Sequence, residues 1–233
     1  GQIAWRRHKI QTMSRPELFA QEYPDSAEEA FLTSGRMVFD WAALARHELE
    51  CAPAKWTGIL RDSDGRVSFE PMPGGALSVW HAPTRGHQYV IGADVAEGLT
   101  DGCYSVAYVL DLNSGCQVAE WHGHIAPDMF GDILCHLGWY YNTALVCPES
   151  WPGCGAVTTQ RILDMRYRNL HKRPAKVNRP NEQRWGWETT SRTKPQMIHA
   201  LWACLRDYRR KIYSQPLRDE LSGIVYDDMQ YLV

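Results

Sequence analysis

No stretch of this 233-residue chain approaches the roughly 18 uninterrupted apolar residues that a membrane-spanning helix requires. The opening residues, Gly1-Gln2-Ile3-Ala4-Trp5-Arg6-Arg7, lack the apolar core of a secretory signal. A soluble, unsecreted chain without a membrane partner is therefore expected. Seven cysteines are present (Cys51, Cys103, Cys116, Cys135, Cys147, Cys154 and Cys204), but none forms a CxxC pair. That scatter argues against a zinc cluster or a disulfide framework, and an odd number of free thiols fits a reducing compartment. There is no GxxxxGK[ST] glycine loop, so ATP hydrolysis of the phosphate-loop type is not expected. Internal repeats and low-complexity tracts are missing as well. Nor is there a strong excess of one charge: the net charge is -2, with 22% charged and 44% hydrophobic residues, the balance of an ordinary globular protein.

That near-zero average hides a division along the chain. Residues 17–50 hold eight acids against two basic residues, whereas residues 161–194 hold ten Lys and Arg against three acids. A local basic field of this kind attracts a phosphate backbone. Residues 1–86 read as an ancillary region, punctuated by Pro16 and Pro24, with a helix start at Asp25-Ser26 and a second short helix over about 40–50. Within it, residues 57–86 are rich in turn-forming Gly, Pro and Asp, with brief strand-like runs at 66–69 and 77–80.

From His87 the pattern changes. Tyr89–Ala93 is a buried strand ending at Asp94, Tyr104–Leu110 a second and Gln117–Trp121 a third, and the polar turns between them predict an antiparallel meander. Residues 127–142 carry Met129, Phe130, Ile133, Leu134, Leu137 and Tyr141 at helical spacing. Ala144–Cys147 then forms a fourth strand, which a crossover helix places parallel to a neighbour. A helix follows over about 156–166. A longer one opens near Ser191 or Thr193 with Pro195 in its first turn, and its apolar face is Met197, Ile198, Leu201, Trp202, Leu205 and Tyr208.

Asp94 ends the first of these strands, and Glu149 follows the fourth. Parallel neighbours would bring both acids to one edge of the sheet, where the ligand sites of α/β sheets collect. Two adjacent carboxylates repel unless a cation lies between them, and hard oxygen ligands suit Mg²⁺ or Mn²⁺. A pair of such ions about 4 Å apart activates water and stabilises the leaving oxygen in phosphodiester cleavage. A strand-end Asp taken alone is more often a turn former, so it is the pair that carries the expectation. Asp101 either turns back toward the same site or serves as a turn residue before Gly102.

These residues resemble the RNase H-like nuclease fold and, more narrowly, the C-terminal nuclease domain of the large terminase subunit of tailed bacteriophages. The segments that carry the resemblance are Gln21-Glu22-Tyr23-Pro24 with Ala27-Glu28-Glu29-Ala30-Phe31; Gly92-Ala93-Asp94-Val95-Ala96-Glu97-Gly98 with Asp101; Cys147-Pro148-Glu149-Ser150 with Gly153 and Gly155; and Thr193-Lys194. The resemblance implies an α/β fold in which a mixed sheet, an antiparallel meander of three strands plus parallel strands, is flanked by helices. It implies a nuclease domain over 87–233, with residues 1–86 linking it to an absent packaging ATPase. It also implies an endonuclease that cuts concatemeric double-stranded DNA in the host cell cytoplasm, with Mg²⁺ or Mn²⁺ in a two-metal site. The implied partners are the ATPase domain in cis, the portal and the small terminase subunit. Asp94, Glu149 and Asp101 become the catalytic and metal-binding acids. The family's final His-Asp-Asp run has no counterpart here. Asp228 is the late metal-ligand candidate, although the turn preference of Asp places Asp227 and Asp228 in a strand or turn, with the final ligand beyond residue 233.

In the basic segment, Arg166, Arg168, Lys172, Arg173, Lys176, Arg179, Arg184 and Lys194 are expected to contact DNA phosphates. The interleaved Tyr167, Trp185 and Trp187 either stack on bases or pack, and buried area favours packing for Trp. His122 and His124 alternate along one side of the third strand without a third ligand spaced to complete a metal site. Two rival readings remain at this point: a Holliday-junction resolvase or transposase-like recombinase, and a non-catalytic DNA-gripping module.

Overall fold

A computed structural model describes residues 5, 9, 36–150, 152–175, 178 and 181–226. The expected helix start near Asp25, the segment Gln21–Phe31, and Lys176, Arg179, Asp227 and Asp228 lie outside the described residues. The chain divides into two compact units, residues 46–215 and a second made of 1–45 with 216–233. In the second unit, β1 (Arg36–Met37) pairs antiparallel with β11 (Val225–Tyr226). Helix α1 (Trp41–Glu48) begins after Asp40, whose carboxylate accepts the Ala42 N–H at 2.7 Å as an N-cap. Helix α5 spans Gln215–Gly223.

The unit of residues 46–215 is built on one seven-stranded mixed sheet in the order β3-β2-β4-β7-β6-β5-β8. Its strands are β2 (Trp56–Ser63), β3 (Arg66–Pro71), β4 (Leu77–Val79), β5 (Tyr89–Asp94), β6 (Ser105–Asp111), β7 (Gln117–Gly123) and β8 (Leu145–Pro148). All neighbours are antiparallel except β5 and β8, which are parallel. The meander of β5, β6 and β7 and the parallel β8 follow the sequence expectation. Residues 56–79 do not: instead of forming an ancillary region they supply β2, β3 and β4, and Leu77–Val79 joins them to the meander by pairing with Ala119–Trp121. The boundary at 86/87 therefore falls inside one sheet.

Alternation decides which side of the sheet is buried. Strand β6 alternates buried and half-buried positions along its whole length, with Ala107 and Val109 pointing into the core. Ile91, Ala119, Trp121 and Val146 join them there, beneath Phe130, Leu134 and Leu137 of α2 (Pro127–Tyr140) and Ile162 of α3 (Cys154–Asp164). Pro127 sits at the first turn of α2, where its missing N–H costs nothing. Helix α2 is the crossover that makes β8 parallel to β5. The opposite face of β5 carries Gly92 and Asp94, both exposed. Helix α4 (Thr193–Arg206) begins after a reciprocal threonine cap: the Thr190 N–H donates to Thr193 Oγ1 at 2.8 Å, and the Thr193 N–H donates to Thr190 Oγ1 at 3.1 Å. The cap expected at Ser191 or Thr193 is thus taken by Thr190, whose hydroxyl accepts the Thr193 N–H and whose carbonyl accepts the Lys194 N–H at 2.9 Å.

Candidate active site

The register between β5 and β8 places the two predicted acids. Gly92 lies opposite Cys147 and Ala93 opposite Pro148, and the Glu149 N–H donates to the Ala93 carbonyl at 2.8 Å. The next residues, Asp94 and Glu149, leave the sheet side by side at the carboxyl ends of adjacent parallel strands. Because side chains alternate, Glu149 shares its face with Cys147, Gly92 and Asp94. Both acids line one cleft of about 880 Å³, with Gly92, Cys147, Trp187, Thr189 and the α4 residues Lys194, Gln196, Met197 and Ala200. Asp94 is exposed and Glu149 half-buried.

Backbone on both sides holds Glu149 in place. Beyond it the chain returns through Trp187, whose N–H donates to the Pro148 carbonyl at 2.8 Å while the Ser150 N–H donates to the Trp187 carbonyl at 2.7 Å. Two glycines make this close approach feasible. A Cβ on Gly155 would lie 2.3 Å from the Glu149 carbonyl oxygen, and one on Gly186, whose φ is +68°, would lie 2.5 Å from the Pro148 oxygen. The indole N–H of Trp187 is buried without a hydrogen-bond partner among the described residues.

The other predicted residues are placed differently. Asp101 sits exposed in the turn between β5 and β6 and does not line the cleft. Among the described residues, no group of three or more His, Cys, Asp or Glu is arranged to hold a metal. In kind, the donor set suits a hard cation: two carboxylates share the cleft, while burial pushes the Cys147 thiol up to about 11, so its sulfur is a neutral thiol near pH 7. His122 and His124 both pack on Tyr104, with ring centroids 4.2 and 3.9 Å away, which accounts for their alternation as a ring cluster.

The basic residues fall into two groups. Arg166, Arg168, Lys172 and Lys194 are exposed, with the Lys172 ammonium 5.4 Å from the centre of the Trp185 ring. Arg173 and Arg184 are instead largely buried and both donate to the Glu188 carboxylate. The cleft residues Trp187, Thr189, Gln196, Met197 and Ala200 were not singled out as site residues from sequence. The available signal was the Thr190-x-x-Thr193 spacing, which fixes the start of α4 and hence the wall that Gln196, Met197 and Ala200 form.

Sheet order and flanking helices give an RNase H-like α/β fold. More narrowly, the fold is shared with the nuclease domain of phage large terminases. The large terminase nuclease of thermophilic phage G20c with bound magnesium is 21% identical, with a TM-score of 0.57 over 85% of this chain and 86% of that one. The same nuclease with bound cobalt gives 20% identity and a TM-score of 0.57 over the same shares of the two chains. The large terminase nuclease domain of Thermus phage P74-26 is 22% identical, with a TM-score of 0.52 over 82% of this chain and 83% of that one. No protein-family model matches the chain, and no curated protein matches it significantly.

Proposed function

We propose that this chain is a divalent-metal-dependent endonuclease that cuts concatemeric viral double-stranded DNA during genome packaging, with Asp94 and Glu149 as metal ligands. One observation carries the reading: two carboxylates from the ends of adjacent parallel strands line a single cleft that also holds a lysine. Like charges held this close favour a cation between them. Mg²⁺ or Mn²⁺ bound there, as one ion or a pair, supplies an activated water and charge stabilisation at the phosphodiester. Asp101, in the loop after Asp94 though not lining the cleft, and Asp228, outside the described residues, are the remaining acids proposed for the metal set.

The chain's own side chains then have distinct tasks. Asp94 and Glu149 hold the charge that makes the cleft selective for cations. Lys194, at the first turn of α4, offers an ammonium to a phosphate oxygen at the cleft wall. Arg166, Arg168 and Lys172, with Lys176 and Arg179 from the same segment, bind the DNA backbone without reading its sequence. The fold likeness to phage large terminase nucleases supports the nuclease part of this reading, and with it we propose the packaging ATPase in cis, the portal and the small terminase subunit as partners, in the host cell cytoplasm.

The test is plasmid nicking with Mn²⁺. Asp94→Ala and Glu149→Ala are each expected to lower the cleavage rate by about a thousandfold or more, as loss of metal-borne charge stabilisation predicts. Wild-type cleavage by either variant removes the assignment. Duplex DNA binding with neither cleavage nor Mn²⁺ binding that depends on Asp94 assigns the chain to DNA gripping instead.

A further inference from the structure

Arg173 and Arg184 face each other across the short antiparallel pair of β9 (Lys172–Arg173) and β10 (Arg184–Trp185). Two guanidiniums opposite one another on paired strands repel, and here both are mostly removed from water, with side chains 16% and 19% exposed. Glu188 offsets the repulsion by accepting from both with one carboxylate oxygen. Of the other nitrogens of Arg173, Nε is buried without a hydrogen-bond partner among the described residues, and Nη2 is aimed at Ser150. Its Nη2 donates to Ser150 Oγ at 3.0 Å and lies 3.3 Å from the Trp185 carbonyl. Ser150 Oγ in turn donates to the Trp187 carbonyl at 2.8 Å. Ser150 directly follows Glu149, and Trp187 bridges to Glu149 in parallel register. One planar fork therefore ties the residue after Glu149 to the strand that flanks it.

Resting on the nuclease reading above, we propose that Arg173, neutralised by Glu188 and bound to Ser150, is a positioning residue for Glu149 rather than a DNA contact. A guanidinium suits this role because its donors are fixed in a plane and reach two acceptors at once. Glu149 leaves the sheet at the end of β8, where the Ala93 hydrogen bond on one side and the bridge to Trp187 on the other hold its backbone. Holding Ser150 holds the direction in which the Glu149 carboxylate enters the cleft. Supporting partners of this kind typically change metal affinity by about 10–100-fold when they are removed.

The experiment compares Arg173→Ala, Arg173→Lys and Ser150→Ala with wild type in three measurements: Mn²⁺ affinity by titration calorimetry, duplex DNA affinity without metal, and the thermal unfolding midpoint. Arg173→Ala is expected to weaken Mn²⁺ binding about 10–100-fold while DNA affinity stays within about twofold of wild type. Arg173→Lys keeps the charge but loses the fork, so it should not restore Mn²⁺ affinity. Ser150→Ala removes one hydroxyl and its two hydrogen bonds, a smaller change than loss of the guanidinium, and should shift Mn²⁺ affinity in the same direction, which keeps the test decisive if Arg173→Ala does not fold. Unchanged Mn²⁺ affinity in Ser150→Ala and Arg173→Lys overturns the clamp, as does a loss of DNA affinity in Arg173→Ala that Lys restores. Failure of the nuclease reading itself looks different: Mn²⁺ binding then does not depend on Asp94, or Asp94→Ala still cleaves.

Discussion

At the scale of single residues, Asp111 shows how a buried carboxylate is made to contribute stability. Its side chain is 6% exposed at the end of β6, and burial alone pushes its pKa up. His87 Nδ1 at 2.8 Å, the Asn113 N–H at 2.9 Å and the Ser114 hydroxyl at 2.9 Å outweigh that and hold the carboxyl below its ordinary value of 3.8. A depressed pKa adds stability that is present above the ordinary value and is lost as pH falls through the lower folded value. Asp111→Asn should cost about 1–3 kcal/mol at pH 7 in urea unfolding, because it leaves these donors badly matched. The gap to wild type should narrow as the pH drops below 3.8. An equal gap at pH 7 and pH 2.5 would contradict that linkage. Asp94 and Glu149 were legible from sequence because each follows a short apolar run, and the turn of a strand end is a local property. Arg173 was not. Within the sequence it is one basic residue among ten, and only the fold shows that Glu188 and Ser150 occupy its guanidinium.

At the scale of elements, helix α4 depends on its first turn. Thr190 and Thr193 satisfy one another's N–H groups, and Thr193 Oγ1 also donates to the Glu188 carbonyl at 2.6 Å. Orphan N–H groups at a helix start are costly, and a lost side-chain cap typically destabilises by about 1 kcal/mol. Thr190→Ala should lower the unfolding free energy by about that much and speed amide exchange in 193–197 more than in α2. Equal exchange in the two helices would show that the cap does not set the start of α4. Helices α2, α3 and α4 were legible because apolar period survives in any local window. Strands β3 and β4 were legible only as short runs, and β2 was not read at all. Their membership of the main sheet depends on residues 77–79 meeting 119–121, a pairing across some forty residues that no local pattern encodes.

At the scale of the whole molecule, the net charge of -2 predicts no affinity for DNA, so affinity has to come from where the basic residues stand and which of them are free to meet phosphate. Each Lys or Arg that neutralises a phosphate releases counterions, and its removal lowers the slope of log affinity against log salt by about one. A guanidinium already bound to a carboxylate has little left to give. Arg168 is exposed, with no carboxylate partner among the described residues, whereas Arg184 is 19% exposed and shares the Glu188 oxygen with Arg173. Arg168→Gln should therefore weaken duplex binding and flatten the salt dependence by about one unit, and Lys172→Gln should do the same. Arg184→Gln should leave the slope unchanged, and any change in its binding should accompany a lower unfolding midpoint. Fluorescence anisotropy over a range of salt concentrations reads all three. A full unit of slope lost in Arg184→Gln would mean that the Glu188 pairing opens when DNA arrives, so that Arg184 joins Lys172 on the DNA surface after all.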